Sequence, residues 1–181
     1  TRYIGDWSSD VCSSDLAAGG NFVVPLFRQG SNEFQPGQAV DPLPHYIPPR
    51  EAAHTDPERA ARYPLNLLTP KSHAYLNSSF ASHAFHRRVQ KEPNVIIHPD
   101  DAAARGISDQ DPVRVFNDRG EFTVLAKLDD AVMPGVVVSS LGGWRKHSKA
   151  TATLATVNST RFADLGNAPT FSDTLVEVEI A

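Results

Sequence analysis

The chain has 181 residues, with 17 Lys+Arg against 21 Asp+Glu, a net charge of −4 and a hydrophobic fraction of 40%. That length suits one domain with its own core plus some flanking chain. No apolar run approaches the ~18 residues of a transmembrane helix, which leaves a soluble chain without membrane insertion as the expectation, and the mild acidity argues against nucleic acid as a partner.

The segment GDWSSDVCSSDL (5–16) holds the single cysteine, Cys12. It has no apolar stretch of the length a secretory signal needs, and Asp6, Asp10 and Asp15 interrupt it. Back-translated, Asp6 to Leu16 resembles the adapter used in short-read sequencing libraries, and Thr1 to Gly5 fit the same primer further upstream. Residues 1–16 therefore read as a non-native fusion to a truncated gene. Without them 165 residues remain, the loss of Arg2, Asp6, Asp10 and Asp15 brings the net charge to −2, and no cysteine is left for a disulfide or a thiolate zinc or iron–sulfur site.

Residues 17–61 are rich in proline (Pro25, Pro36, Pro42, Pro44, Pro48, Pro49, Pro57). Each proline fixes φ and removes a donor, so this part reads as an extended, mobile connector from a missing upstream domain, with at most a helical turn in DPERAARYP. From residue 62 the pattern becomes that of a barrel or sandwich. LNLLT (65–69) and PNVIIHP (93–99) read as buried strands bounded by prolines. PDDAAARGI reads as a short helix with acids in its first turn and Gly106 at its end. PVRVFN and EFTVLAKL flank DRG as a hairpin in which Gly120 can supply a left-handed residue. In the second strand Phe122, Val124, Ala126 and Leu128 share the inward face. VMPG turns into VVVSS, and TLVEVEI closes the chain. Six or seven short strands with little helix predict a mainly β architecture, a small closed barrel or a sandwich.

Four blocks stand in a recognisable order: YPLNLLTPKSHAYLNSSF, EPNVIIHPDDAAARGISDQDPVRVFNDRGEF, VMPGVVVSSLGGW and VNSTRFADLGNAPTFSDTLVEV. Together they resemble the C-terminal molybdopterin-dinucleotide-binding domain of molybdenum and tungsten oxidoreductases of the dimethyl sulfoxide reductase type. The resemblance implies a double-psi β-barrel of the aspartate-decarboxylase-like kind over residues 62–181. It implies a molybdopterin guanine dinucleotide cofactor carrying Mo or W, with the metal ligand in upstream domains of the same polypeptide, and electron-transfer subunits as further partners. No catalytic residue and no metal ligand is assigned to this chain, so the fragment alone is expected to be inactive.

By the same resemblance, cofactor contacts fall in two loops. TPKSHAYLNSS supplies Thr69, Lys71, Ser72, His73, Asn77 and Ser78, with Lys71 suited to a phosphate as a point charge. The late block supplies Asn158, Asn167 and Phe171, since an asparagine amide donates and accepts at once; a loop cap or Asx-turn is the alternative for the asparagines. Trp144, after Gly142 and Gly143, stands either beside a ligand or as a core lid. His73, His83, His86 and His98 resemble a metal set, but no cysteine joins them and no Asp or Glu partner stands at a zinc spacing. Asp100 and Asp101 read as helix-capping acids rather than a catalytic pair, and Arg87 and Arg88 beside Lys91 as a solvated face. Gln110 stands where the family carries glycine, which questions the local turn because φ > 0 is disfavoured for a non-glycine residue. The competing function is a free-standing barrel serving as a binding or adaptor module without redox role.

Overall fold

The computed structural model describes residues 46–147, 149, 152–161 and 169–181. The adapter-like segment, the connector as far as residue 45 and Asn167 lie outside the described residues. Residues Pro48–Arg161 and Thr170–Ala181 fall in one compact unit, while Tyr46, Ile47 and Pro169 fall in the other.

Six strands form the barrel: β1 (Leu65–Leu68), β2 (Asn94–Ile97), β3 (Pro112–Asn117), β4 (Gly120–Leu128), β5 (Val136–Val138) and β6 (Leu175–Ile180). The sheet closes in the order β1-β5-β2-β4-β3-β6. β1·β5 and β2·β4 are parallel, and the other four pairings are antiparallel. Shifting every strand by three in chain order maps this ring onto itself and exchanges the two parallel pairs. That pseudo-twofold relation is the one expected of a double-psi barrel. It cannot be built from hairpins alone, because a parallel pair needs a crossover.

Alternation decides what fills the interior. Leu65 and Leu67, Val95 and Ile97, Val113 and Val115, Phe122, Val124 and Ala126, Val137, and Val176 and Val178 all point inward and are buried. Burying each large side chain stabilises the fold by about 1.5–3 kcal/mol as an upper figure. Closing the ring satisfies both edges of every strand, so no open edge is left in the barrel wall.

The β3–β4 hairpin pairs Asn117 with Gly120, leaving Asp118 and Arg119 as its two-residue turn. Gly120 is not left-handed, contrary to expectation. Its missing side chain serves packing instead: a Cβ there would stand 3.0 Å from the Thr156 carbonyl oxygen. Gln110 does take the left-handed conformation, at φ 70°, so the turn keeps the geometry that glycine would favour. Asp101 caps nothing; its Oδ2 accepts from Gly135 N at 2.7 Å and pins the turn into β5, while the His98 ring caps the helix.

Among the described residues three short α-helices accompany the barrel: α1 (Pro57–Arg62), α2 (Ala84–Gln90) and α3 (Pro99–Ala103). α1 starts at Asp56, whose Oδ1 accepts from Arg59 N at 3.0 Å, with proline in the first turn. The stretch from Pro48 to α1 is tied to the barrel by side-chain contacts. Glu51 is 5% exposed. Its carboxylate accepts from both Arg119 Nη atoms at 2.7 and 3.0 Å and pairs with Arg59 Nε at 3.2 Å. Arg59 continues to Asp118 at 2.9 Å, and its guanidinium lies over the Tyr63 ring. The hydrogen bond from Arg59 holds the Asp118 carboxyl below its ordinary value, and the same bond raises Arg59. Asn117 completes the joint by donating to the carbonyls of Val157 and Leu175 at 2.8 and 3.0 Å.

Candidate cofactor-binding cavity

The parallel β1·β5 ladder runs on past the strands into their loops. Ser139 N donates to Leu68 O at 3.0 Å, Leu141 N donates to Pro70 O at 2.9 Å, and Lys71 bridges Leu141. The loop after β1 is thereby laid beside the loop after β5. Between them opens a cavity of about 610 Å³, within the range of small-molecule pockets. Phe122 and Val124 from the barrel interior contribute apolar wall, Pro93, Leu141 and Leu154 extend it, and Ser139, Ser140 and Thr153 add hydroxyls.

Glycine decides how closely the two loops meet. A Cβ on Gly142 would stand 2.2 Å from the Asn77 carbonyl oxygen, and its φ of 101° excludes most side chains as well. Asn77 is itself left-handed at φ 53°. Across the same seam the Trp144 indole N–H donates to Ser78 O at 3.3 Å. Neighbouring Tyr75 has its phenol pKa raised by burial.

Of the residues expected from the sequence, Asn77, Ser78 and Trp144 line the cavity. Ser72 is buried and engaged locally: it accepts from Ala74 N at 3.0 Å and shares a short contact with Gln90 of α2. Lys71 and His73 are exposed beside it and form no part of this wall. Thr69 is buried with its hydroxyl unpaired, and Asn158 has a buried amide oxygen without partner. Phe171 is 41% exposed, and its carbonyl accepts from Thr174 Oγ1 at 3.1 Å. Ser139 to Leu141, Arg145 and Thr153 to Ala155 complete the wall and carry no contact expectation from the sequence. The polar run VVVSSLGGW was their only signal; residues 153–155 have none, because they arrive through a distant 3₁₀ turn.

His83 and His86 meet edge to face, and His86 Nδ1 donates to Ala74 O at 2.7 Å. Among the described residues no group of three or more His, Cys, Asp or Glu gathers to hold a metal. The lining suits a heterocycle bearing amide and amine edges: an apolar slot, hydroxyls, an asparagine and a close-packed glycine seam.

Residues 65–175 match the family described as molydopterin dinucleotide binding domain. The chain belongs to this family. It is 34% identical to the probable oxidoreductase YoaE of Bacillus subtilis and 35% identical to the dimethyl sulfoxide/trimethylamine N-oxide reductase of Cereibacter sphaeroides, in each case over 76% of this chain and 19% of the relative. It is 37% identical to the dimethyl sulfoxide reductase DmsA of Escherichia coli over 62% of this chain and 13% of the relative. The chain thus spans about a fifth of the length of the first two relatives. Acetylene hydratase from Pelobacter acetylenicus shares the fold, with a TM-score of 0.67 at 22% identity over 78% of this chain and 22% of that one. As a molydopterin dinucleotide binding domain, the barrel has its cavity where the parallel strands hand over to their loops.

Proposed function

We propose that this barrel binds a molybdopterin guanine dinucleotide, carrying molybdenum or tungsten, along its loop face. In this reading it supports redox catalysis at a metal ligated by other domains of the same polypeptide, with electron-transfer subunits as further partners. The cavity between the β1 and β5 loops carries the reading, because it joins an apolar floor to Asn77, Ser78 and Trp144 at one mouth. The bound group would supply the redox-active metal site. The residues of this chain bind and orient it: the Asn77 amide offers paired donor and acceptor edges, the loop hydroxyls fix orientation, and Trp144 shields one face from water. Thr69 and Asn158 serve as second-rank contacts through their unpaired oxygens, with Lys71, Ser72, His73, Asn167 and Phe171 extending the contact loops.

The test is the metal and nucleotide content of the full gene product purified from a cofactor-competent host. The expected result is molybdenum or tungsten together with guanine nucleotide in stoichiometric amounts. A folded product lacking both overturns the proposal.

A further inference from the structure

Arg59, Arg105, Arg114, Arg119 and Lys127 each have a carboxylate partner, at closest N–O distances of 2.5 to 2.8 Å. Arg87, Arg145 and Lys146 have no such partner among the described residues. Exposed cations without partners are ordinary. What distinguishes these is their place: Arg145 lines the cavity, Lys146 lies over the wall residue Trp144, and Arg87 meets His147 of the same turn.

Arg145 is a wall residue of the cavity and opens the 3₁₀ turn Arg145–His147. Lys146 Nζ lies 5.3 Å from the centre of the Trp144 ring, another wall residue. His147 Nε2 stands 3.3 Å from Ser82 Oγ and 3.5 Å from Arg87 Nη1, and the same Arg87 nitrogen donates to Ser82 O at 2.8 Å. A hydroxyl, a guanidinium and an imidazole therefore face one another, held by two loops and α2. The Glu92 carboxylate accepts from Lys149 N at 3.1 Å rather than entering this group.

In this arrangement the Ser82 hydroxyl and Arg87 Nη1 share one ring nitrogen of His147, and Arg87 has besides it the Ser82 carbonyl, a neutral acceptor. An oxyanion is a stronger acceptor for both, through charge-assisted hydrogen bonds. Desolvation, followed by the nearby charges of Arg87 and Lys146, holds the His147 pKa below its ordinary value. Negative charge placed here reverses the charge effect and adds a third donor.

We propose that Ser82, Arg87, Lys146 and His147, with Arg145 at the cavity wall, form an oxyanion subsite that takes the diphosphate bridge of the dinucleotide. The proposal rests on the cofactor reading above and adds to it where the ligand leaves the cavity. Lys71, the lysine that the sequence suggests for a phosphate, is then a secondary contact.

The experiment titrates the isotopically labelled 181-residue chain with inorganic pyrophosphate at constant ionic strength and reads amide shifts by NMR. A parallel titration uses guanosine, which has no phosphate. Expected is saturable pyrophosphate binding centred on Ser82, Arg87 and residues 145–147, weakened at least about tenfold in an Arg87→Gln, Lys146→Gln double variant. The exposed Arg62→Gln control on α1 is expected to bind as the parent does. Guanosine shifts at the cavity walls are expected to be the same in parent and double variant. Shifts that stay linear and vanish with added salt, or a double variant that binds pyrophosphate as the parent does, overturn the subsite. If pyrophosphate behaves as expected while the full gene product carries no guanine nucleotide, the cofactor reading fails and the oxyanion subsite stands.

Discussion

Two charged regions of this molecule are built on opposite plans. Around Glu51, two carboxylates and two guanidiniums cancel one another: Glu51 with Arg119 and Arg59, and Arg59 with Asp118. Beside the cavity, Arg87 meets His147, Arg145 and Lys146 lie in the same turn as that histidine, and none of the three cations has a carboxylate partner among the described residues. The first arrangement is closed, since every charge has its partner inside the fold and removing one leaves another stranded. The second is open, since its cations meet no carboxylate among the described residues. Internal compensation marks a joint of the architecture, whereas uncompensated donors beside a cavity mark a place for a ligand.

The comparison is broken most severely by Glu51→Ala. Arg119 and Arg59 lose a buried counter-ion, and Leu175 N loses an acceptor at 3.5 Å, so a loss of about 3–5 kcal/mol is expected by urea denaturation. An Arg87→Gln, Lys146→Gln double variant is expected to change stability by less than about 0.5 kcal/mol. If both variants destabilised equally, the contrast between closed and open regions would collapse.

Gly142→Ala probes the cavity seam rather than its charges. The new Cβ overlaps the Asn77 carbonyl and strains a backbone with φ of 101°, which predicts a cost on the order of 1–3 kcal/mol and loss of ligand-induced shifts at Asn77 and Ser78. Unchanged thermal stability together with an unchanged guanosine titration would mean that the seam does not set the cavity's shape.

Smaller effects sharpen the picture. Gln110→Gly relieves a left-handed non-glycine residue at φ 70° while keeping the Gln110 N to Ala126 O bond of 2.9 Å. The chain entropy of glycine offsets part of the gain, so a net stabilisation of about 0.5–1 kcal/mol is expected by thermal melting. At Asp118 the folded pKa lies below the ordinary 3.8. Its stabilising contribution is therefore complete above that value and is lost as pH falls through the folded pKa. Half exposure keeps the contribution below about 1 kcal/mol. Asp118→Asn should flatten the acid limb of a stability–pH curve, and an unaltered limb would show that the Arg59 contact does not titrate with folding.

Much of the barrel was legible in the residues because its signals are local. β4 alternates Phe122, Val124 and Ala126 inward, and Gly135 with Pro134 marks the entry to β5. α2 was not legible: it has two turns at most, no buried face and no side-chain cap bond at His83, so neither periodicity nor capping announced it. Gly120 looked like a turn residue because DRG resembles hairpin chemistry, yet its role is set by Thr156, far along the chain. In the site, Asn77, Ser78 and Trp144 stood out in polar loops following strands. Arg145 follows Trp144 directly in the chain, whereas the 153–155 turn joined them only through chain crossing.

Local pattern specified the strands and their inward faces, each depending on residues within a few positions of one another, and the order of four blocks along the chain pointed to the family. Tertiary structure alone decided the ring closure, the Glu51 joint and the cavity. Glu51 meets Arg119 across 68 positions and Ser82 meets His147 across 65. No local pattern encodes such distances, because a charge carries no mark of its partner until the barrel has closed.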